Sequence, residues 1–117
     1  MAGTSEGSER PWGDYAVLHG GEGYQIKEIV VKPGKRLSYQ RHAHRAEHWF
    51  IVGGAGEVLL DGTPHPVGAG DSVDVAIGGL HRISNTGTEP LVFIEVQTGS
   101  YFGEDDIERL EDDFGRS

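Results

Sequence analysis

The chain contains no cysteine, which removes disulfide bridges and thiolate metal sites and leaves histidine, carboxylate and amide groups to hold any metal. It has one methionine, and no apolar stretch approaches the roughly 18 residues that span a bilayer. The N-terminus lacks the charged-then-apolar pattern of a leader. A soluble, cytoplasmic protein with no membrane partner is therefore expected. Basic residues are also scarce, 10 Lys and Arg against 19 Asp and Glu, for a formal net charge of −9. That balance argues against nucleic acid or an anionic lipid surface as partner, since both require a positive field. It leaves room for a small anionic substrate held by a few inward-pointing cations.

Glycine is abundant instead, at 19 of 117 residues, which favours short strands and tight turns over a helical bundle. The length suits a single domain. Residues 1–9 are small, polar and aperiodic and read as a disordered tail, with the folded domain over 10–117. Trp12 and Tyr15 supply apolar area to anchor the entry segment. Strands are expected from Tyr24 to Lys32, Arg36 to His44, Trp49 to Val52, Glu57 to Leu60, Thr63 to Val67, Ser72 to Ile77, His81 to Asn85 and Leu91 to Gln97. Asp61-Gly62 marks a two-residue hairpin. This spacing is that of a β-sandwich or barrel. Only Gly103 to Phe114 departs from it: Ile107, Leu110 and Phe114 fall at helical spacing behind Glu104-Asp105-Asp106, predicting one short C-terminal helix.

The densest chemistry lies between Gln40 and Trp49, where His42, His44, Glu47 and His48 occur within ten residues. On one strand, the period of two places His42 and His44 on the same face, close enough to share a divalent cation. Ser38 and Gln40 lead up to them along that face. Imidazole with a carboxylate suits Zn, Mn, Co, Ni or Fe. Strand parity carried on from His44 puts His48 on the metal face and Glu47 opposite, but Arg45-Ala46 reads as a bend that breaks such counting. Lys27 shares a strand face with Gln25, Ile29 and Val31 and is a candidate to enter a pocket.

Two motifs then connect distant parts of the chain. Gly34 to Gly54 encloses His42, His44 and Glu47; Gly70, Ala76-Ile77-Gly78, His81 and Asn85 follow in order. Together they resemble the paired motifs of the cupin superfamily, with Ala76 where a proline is usual. The resemblance implies an all-β, double-stranded β-helix (jelly-roll) barrel. It implies a metal held by His42, His44, Glu47 and His81, with Glu47 preferred to His48 because counting back from Gly54 reaches the usual carboxylate position.

Within cupins the chain is most similar to the type II mannose-6-phosphate isomerase domain, usually joined to a mannose-1-phosphate guanylyltransferase. The similarity runs through Arg10-Pro11-Trp12-Gly13, Val30 to Ser38, Gln40 to Trp49, Glu95 to Tyr101 and Gly103 to Ile107, ending near Gly115-Arg116. Arg41, Ala43 and Glu28 depart from the family pattern. The resemblance implies interconversion of mannose 6-phosphate and fructose 6-phosphate through an enediolate. His48 or Glu95 then become candidates to move the proton, with Arg116 as a catalytic cation. Lys27, Arg36 and Gln40 become candidates for binding a sugar phosphate. A homodimer is expected, and guanylyl transfer is not, because the Gly-rich nucleotide loop is missing. Two other readings stay open: an iron-dependent dioxygenase on the same ligands, and a non-catalytic sugar- or metabolite-binding module.

Overall fold

A computed structural model of the protein describes residues 7–113. Among the described residues eleven strands form two antiparallel sheets: β1 (Gly7–Arg10), β2 (Gly13–Gly21), β3 (Tyr24–Val31), β4 (Tyr39–Arg41), β5 (Arg45–Gly53), β6 (Ala55–Leu60), β7 (Thr63–Gly68), β8 (Ser72–Val75), β9 (His81–Asn85), β10 (Leu91–Gly99) and β11 (Glu108–Glu111). One sheet has the order β1-β2-β3-β10-β5-β8 and the other β11-β4-β9-β6-β7. The sheets face each other as the two walls of a jelly-roll barrel.

The interior is arranged in layers set by the registers of β3 and β5 on β10. Leu91 faces Val31, and Phe93 faces Ile29 and Ile51. One step further Glu95 faces Lys27 and Trp49, and then Gln97 faces Gln25 and Glu47. Because side chains alternate along a strand, all the β10 members of these layers point inward and are buried. The apolar layers merge with Trp12, Val58, Val73, Val75 and Ile83 into one core. The polar layers occupy the other end of the barrel. Asn85 closes the apolar end: its amide donates to the carbonyls of Val31 (2.9 Å) and Glu89 (2.8 Å) and accepts from the Gly87 N–H (2.9 Å).

The Asp61-Gly62 hairpin forms as expected, with Leu60 paired to Thr63 and positive φ at both turn residues, 46° and 85°. It joins β6 to β7, an edge strand carrying Pro64 and Pro66.

Four expectations are corrected. Among the described residues no helix follows β10; Glu108–Glu111 instead adds to β4, pairing Glu108 with Arg41 and Arg109 with Gln40. The acidic residues counted toward a helix N-terminus are consumed by a turn, in which the Asp106 carboxylate accepts the backbone N–H groups of Ala43 and His44 at 2.9 Å each. Phe114, the last member of the helical pattern, lies outside the described residues. The expected strand from Arg36 to His44 shrinks to Tyr39–Arg41 plus a single bridge from Arg36 to Ser84. The next strand starts at Arg45, so Arg45-Ala46 is ladder and not a bend. Finally, Gly7–Arg10 pairs with β2, so the part of the predicted tail that is described belongs to the sheet.

Candidate metal centre

His42 lies one residue beyond β4 and His81 opens β9. The backbone at His42 is held by a glycine: the Gly78 N–H, at φ 79° where other residues are strained, donates to the His42 carbonyl at 2.8 Å. His42 Nδ1 donates to the Asp106 carbonyl (2.6 Å) and His81 Nδ1 to the Gly79 carbonyl (3.0 Å). A carbonyl only accepts, so both rings carry a proton on Nδ1 and turn Nε2 inward, that of His42 lying 3.3 Å from Arg45 Nη2. The rings lie 5.1 Å apart, centre to centre. Glu47 lies between them, Oε2 3.5 Å from His42 Nε2 and Oε1 3.9 Å from His81 Nε2.

One donor atom from each of His42, Glu47 and His81 falls within 4.8 Å of the others, and all three side chains are buried. His81 Nε2 is enclosed and has no hydrogen-bond partner. An orphaned buried acceptor is costly, and two imidazole nitrogens with one carboxylate form a donor set suited to a divalent cation. The residues present therefore fit a metal.

The electrostatics agree. Burial, opposed by Glu47 and assisted by Arg45, lowers the His42 pKa, so the ring is neutral and able to ligate. Burial alone would raise Glu47, but His81, Arg45, His42 and the Trp49 indole outweigh it and bring its pKa down to about 2. Trp49 Nε1 donates to Glu47 Oε1 and Arg45 Nε to Oε2, both at 2.9 Å. Glu95 moves the other way: burial and the charge of Glu47 raise its pKa well above the ordinary carboxylate range, with Lys27 and Arg45 opposing. Gln97 Nε2 donates to its Oε1 at 2.6 Å. A cavity of about 70 Å³ adjoins the triad, lined among others by Lys27, Gln40, Arg45, Glu95, Glu104 and Arg109.

The structure thus brings together His42, Glu47, His81, Glu95, Lys27 and Gln40. It does not bring in His44, whose side chain is 57% exposed, with Nδ1 3.3 Å from Asp106 Oδ1. Asp106 turns the backbone at Ala43 and His44, so the strand period never operates between the two histidines. His48 points to the outer face of β5, its Nδ1 2.6 Å from the exposed Asp74. Parity within β5 selects Glu47 instead, since Arg45, Glu47, Trp49 and Ile51 all point inward. Arg36 is also outside the pocket, in a two-pronged pair with Asp113 at 2.8 and 2.9 Å. Arg116 lies outside the described residues. Arg45 was missed, although its spacing of two from Glu47 would have found it once the strand was known to begin there. Nothing in the sequence singled out Asp106.

Residues 3–112 match the family described as mannose-6-phosphate isomerase C-terminal. The chain belongs to this family. Members of the mannose-6-phosphate isomerase C-terminal family similar to it include the alginate biosynthesis protein AlgA of Pseudomonas aeruginosa, 51% identical over 108 residues that cover 92% of this chain and 22% of AlgA. The mannose-1-phosphate guanylyltransferase ManC of Salmonella typhimurium is 48% identical over 107 residues, again 92% of this chain and 22% of ManC. The chain thus spans about a fifth of these relatives. Its fold matches the cupin domain of Schizosaccharomyces pombe Cnp3, with a TM-score of 0.72 at 18% identity over 74% of this chain and 64% of that one. The fold is a cupin.

These relationships correct the expected function. The relatives are named for alginate biosynthesis and for mannose-1-phosphate guanylyl transfer. What they establish for this chain is a cupin domain corresponding to 22% of such enzymes, and interconversion of mannose 6-phosphate and fructose 6-phosphate does not follow from it.

Proposed function

We propose that this cupin binds a divalent cation through His42, Glu47 and His81 and, beside it, a small sugar phosphate of mannose metabolism. One observation carries the reading: two imidazole Nε2 atoms and a carboxylate held ionised converge in a buried space where His81 Nε2 has no hydrogen-bond partner. The relatives' names motivate the sugar, and the cations in the pocket wall motivate the phosphate. When bound, such a cation polarises ligand oxygens as a Lewis acid.

The chain's own residues orient the ligand. Glu95, whose carboxyl is pushed well above the ordinary range by burial and by Glu47, faces the ligand from the pocket wall, and Gln40 beside it offers an amide. Glu47 stays ionised beneath them, kept in place by Arg45 and Trp49.

Calorimetric titration with Zn, Mn, Co, Ni and Fe(II), followed by mannose 1-phosphate, tests this. A folded chain that takes up none of these metals would sink the reading. We further propose a cytoplasmic homodimer. Phe50 and Val52 stand 46% and 51% exposed on the outer face of β5, an apolar surface that a second copy would cover. Sedimentation equilibrium checks the stoichiometry. Among the described residues no helix is long and apolar enough to cross a membrane.

A further inference from the structure

Two buried cations in the pocket wall, Lys27 and Arg45, keep capacity beyond what the metal triad uses. Lys27 is 4% exposed and Arg45 6% exposed, and charges buried so deeply require compensation. Arg45 gives Nε to Glu47 and Nη2 to His42 (3.3 Å), while its enclosed Nη1 has no hydrogen-bond partner. Lys27 Nζ lies 4.6 Å from the centre of the Tyr15 ring and forms an ion pair with Glu104.

Glu104 differs from the other wall residues. It lies between β10 and β11, outside any strand, and its side chain is 54% exposed. From there its carboxylate reaches inward to Lys27. Burial works against its ionisation, but Lys27, Arg45 and Arg10 together hold its pKa below the ordinary range. Three cations therefore act on a carboxylate that belongs to the rim. At about 70 Å³ the space between these groups is small, and Glu104 lines it together with Lys27 and Arg45.

We propose that Lys27 and Arg45 Nη1 form the anion pole of this pocket, built for the phosphate group of the ligand, and that Glu104 occupies it until that phosphate displaces the carboxylate. The inference rests on the sugar-phosphate reading above. It adds the residues that select for phosphate and the group that competes with it. Displacement exchanges one charge-assisted partner of Lys27 for another and enlarges the pocket as Glu104 withdraws. Arg45 gains the acceptor that its third nitrogen lacks.

The test is calorimetric titration of the metal-loaded chain with mannose 1-phosphate, inorganic phosphate and unphosphorylated mannose. Glu104→Gln is expected to bind both phosphates about three- to tenfold more tightly, and Lys27→Met at least about tenfold more weakly. Mannose should change with neither. Lys27→Met alters a buried position, so its thermal melt is compared first. Glu104→Gln changes a half-exposed side chain and keeps the test decisive if the lysine variant fails to fold. Unchanged or weaker phosphate binding by Glu104→Gln, or mannose bound as tightly as mannose 1-phosphate, overturns the proposal. Failure to take up metal instead sinks the reading beneath it. Mannose 1-phosphate binding indifferent to both substitutions leaves that reading standing and removes only the anion pole.

Discussion

Along β10 the inward residues are first Leu91 and Phe93 and then Glu95 and Gln97, and their neighbours change with them, from Val31, Ile29 and Ile51 to Lys27, Gln25 and Glu47. The same three strands and the same alternation build both halves of the barrel. The ladder runs through both, with one register irregularity between Val92 and Phe93, and the change of character follows the side chains. In the apolar half, packing supplies stability and any residue of similar shape would serve. In the polar half each group is held by a named partner: Glu47 by Trp49 and Arg45, Glu95 by Gln97, Lys27 by Glu104. Burial there works against the fold, and the barrel retains the arrangement because the other half stabilises the shared strands.

Substitutions that separate stability from binding can break this comparison. Phe93→Ala in the apolar half should cost about 3–5 kcal/mol, read by urea denaturation, whereas Glu95→Gln one layer above should stay within about 1 kcal/mol of the parent. Equal losses at the two positions would show that the halves are not distinct in function. His81→Ala should weaken metal binding by at least about a hundredfold, since even partners of metal ligands are worth 10–100-fold. Calorimetry on the folded variant decides it.

Asp106→Asn leaves one oxygen for two backbone N–H groups and should destabilise the chain by about 2 kcal/mol, with faster amide exchange at Ala43 and His44 as its local mark. The smallest effect concerns pH. Because the Glu104 carboxyl is held below its ordinary value of 4.5, its pairing with Lys27 contributes fully above that pH and is lost as pH falls through the lowered value. With Glu104 half exposed, the loss should be no more than about 1 kcal/mol. A Glu104→Gln chain should lack this component of acid sensitivity, which parallel pH melts would reveal.

Much of the barrel was legible because its strands are bounded by glycine and proline turns. Tyr24–Val31, His81–Asn85 and the Asp61-Gly62 hairpin were readable from local chemistry. The C-terminal strand was not: Ile107 and Leu110 carry helical spacing, and what makes the segment β is an open edge on β4 far away in sequence. The site divided in the same way. Glu47 and His81 could be reached from motif spacing, but excluding His44 required knowing that Asp106, more than sixty residues on, would bend the chain between the two histidines. Arg45 stayed hidden for a related reason, since its inward direction depends on where β5 begins.

Pro64 and Pro66 on β7 have a consequence beyond the barrel itself. With Leu60 and Thr63 as the hydrogen-bonded pair that closes the hairpin, residues 64 and 66 fall at the alternate positions, whose amide nitrogens face away from β6. Both of those nitrogens belong to proline and carry no hydrogen. A foreign strand approaching this flank finds carbonyls with no donors between them, so the second sheet is guarded there against fibril-like growth.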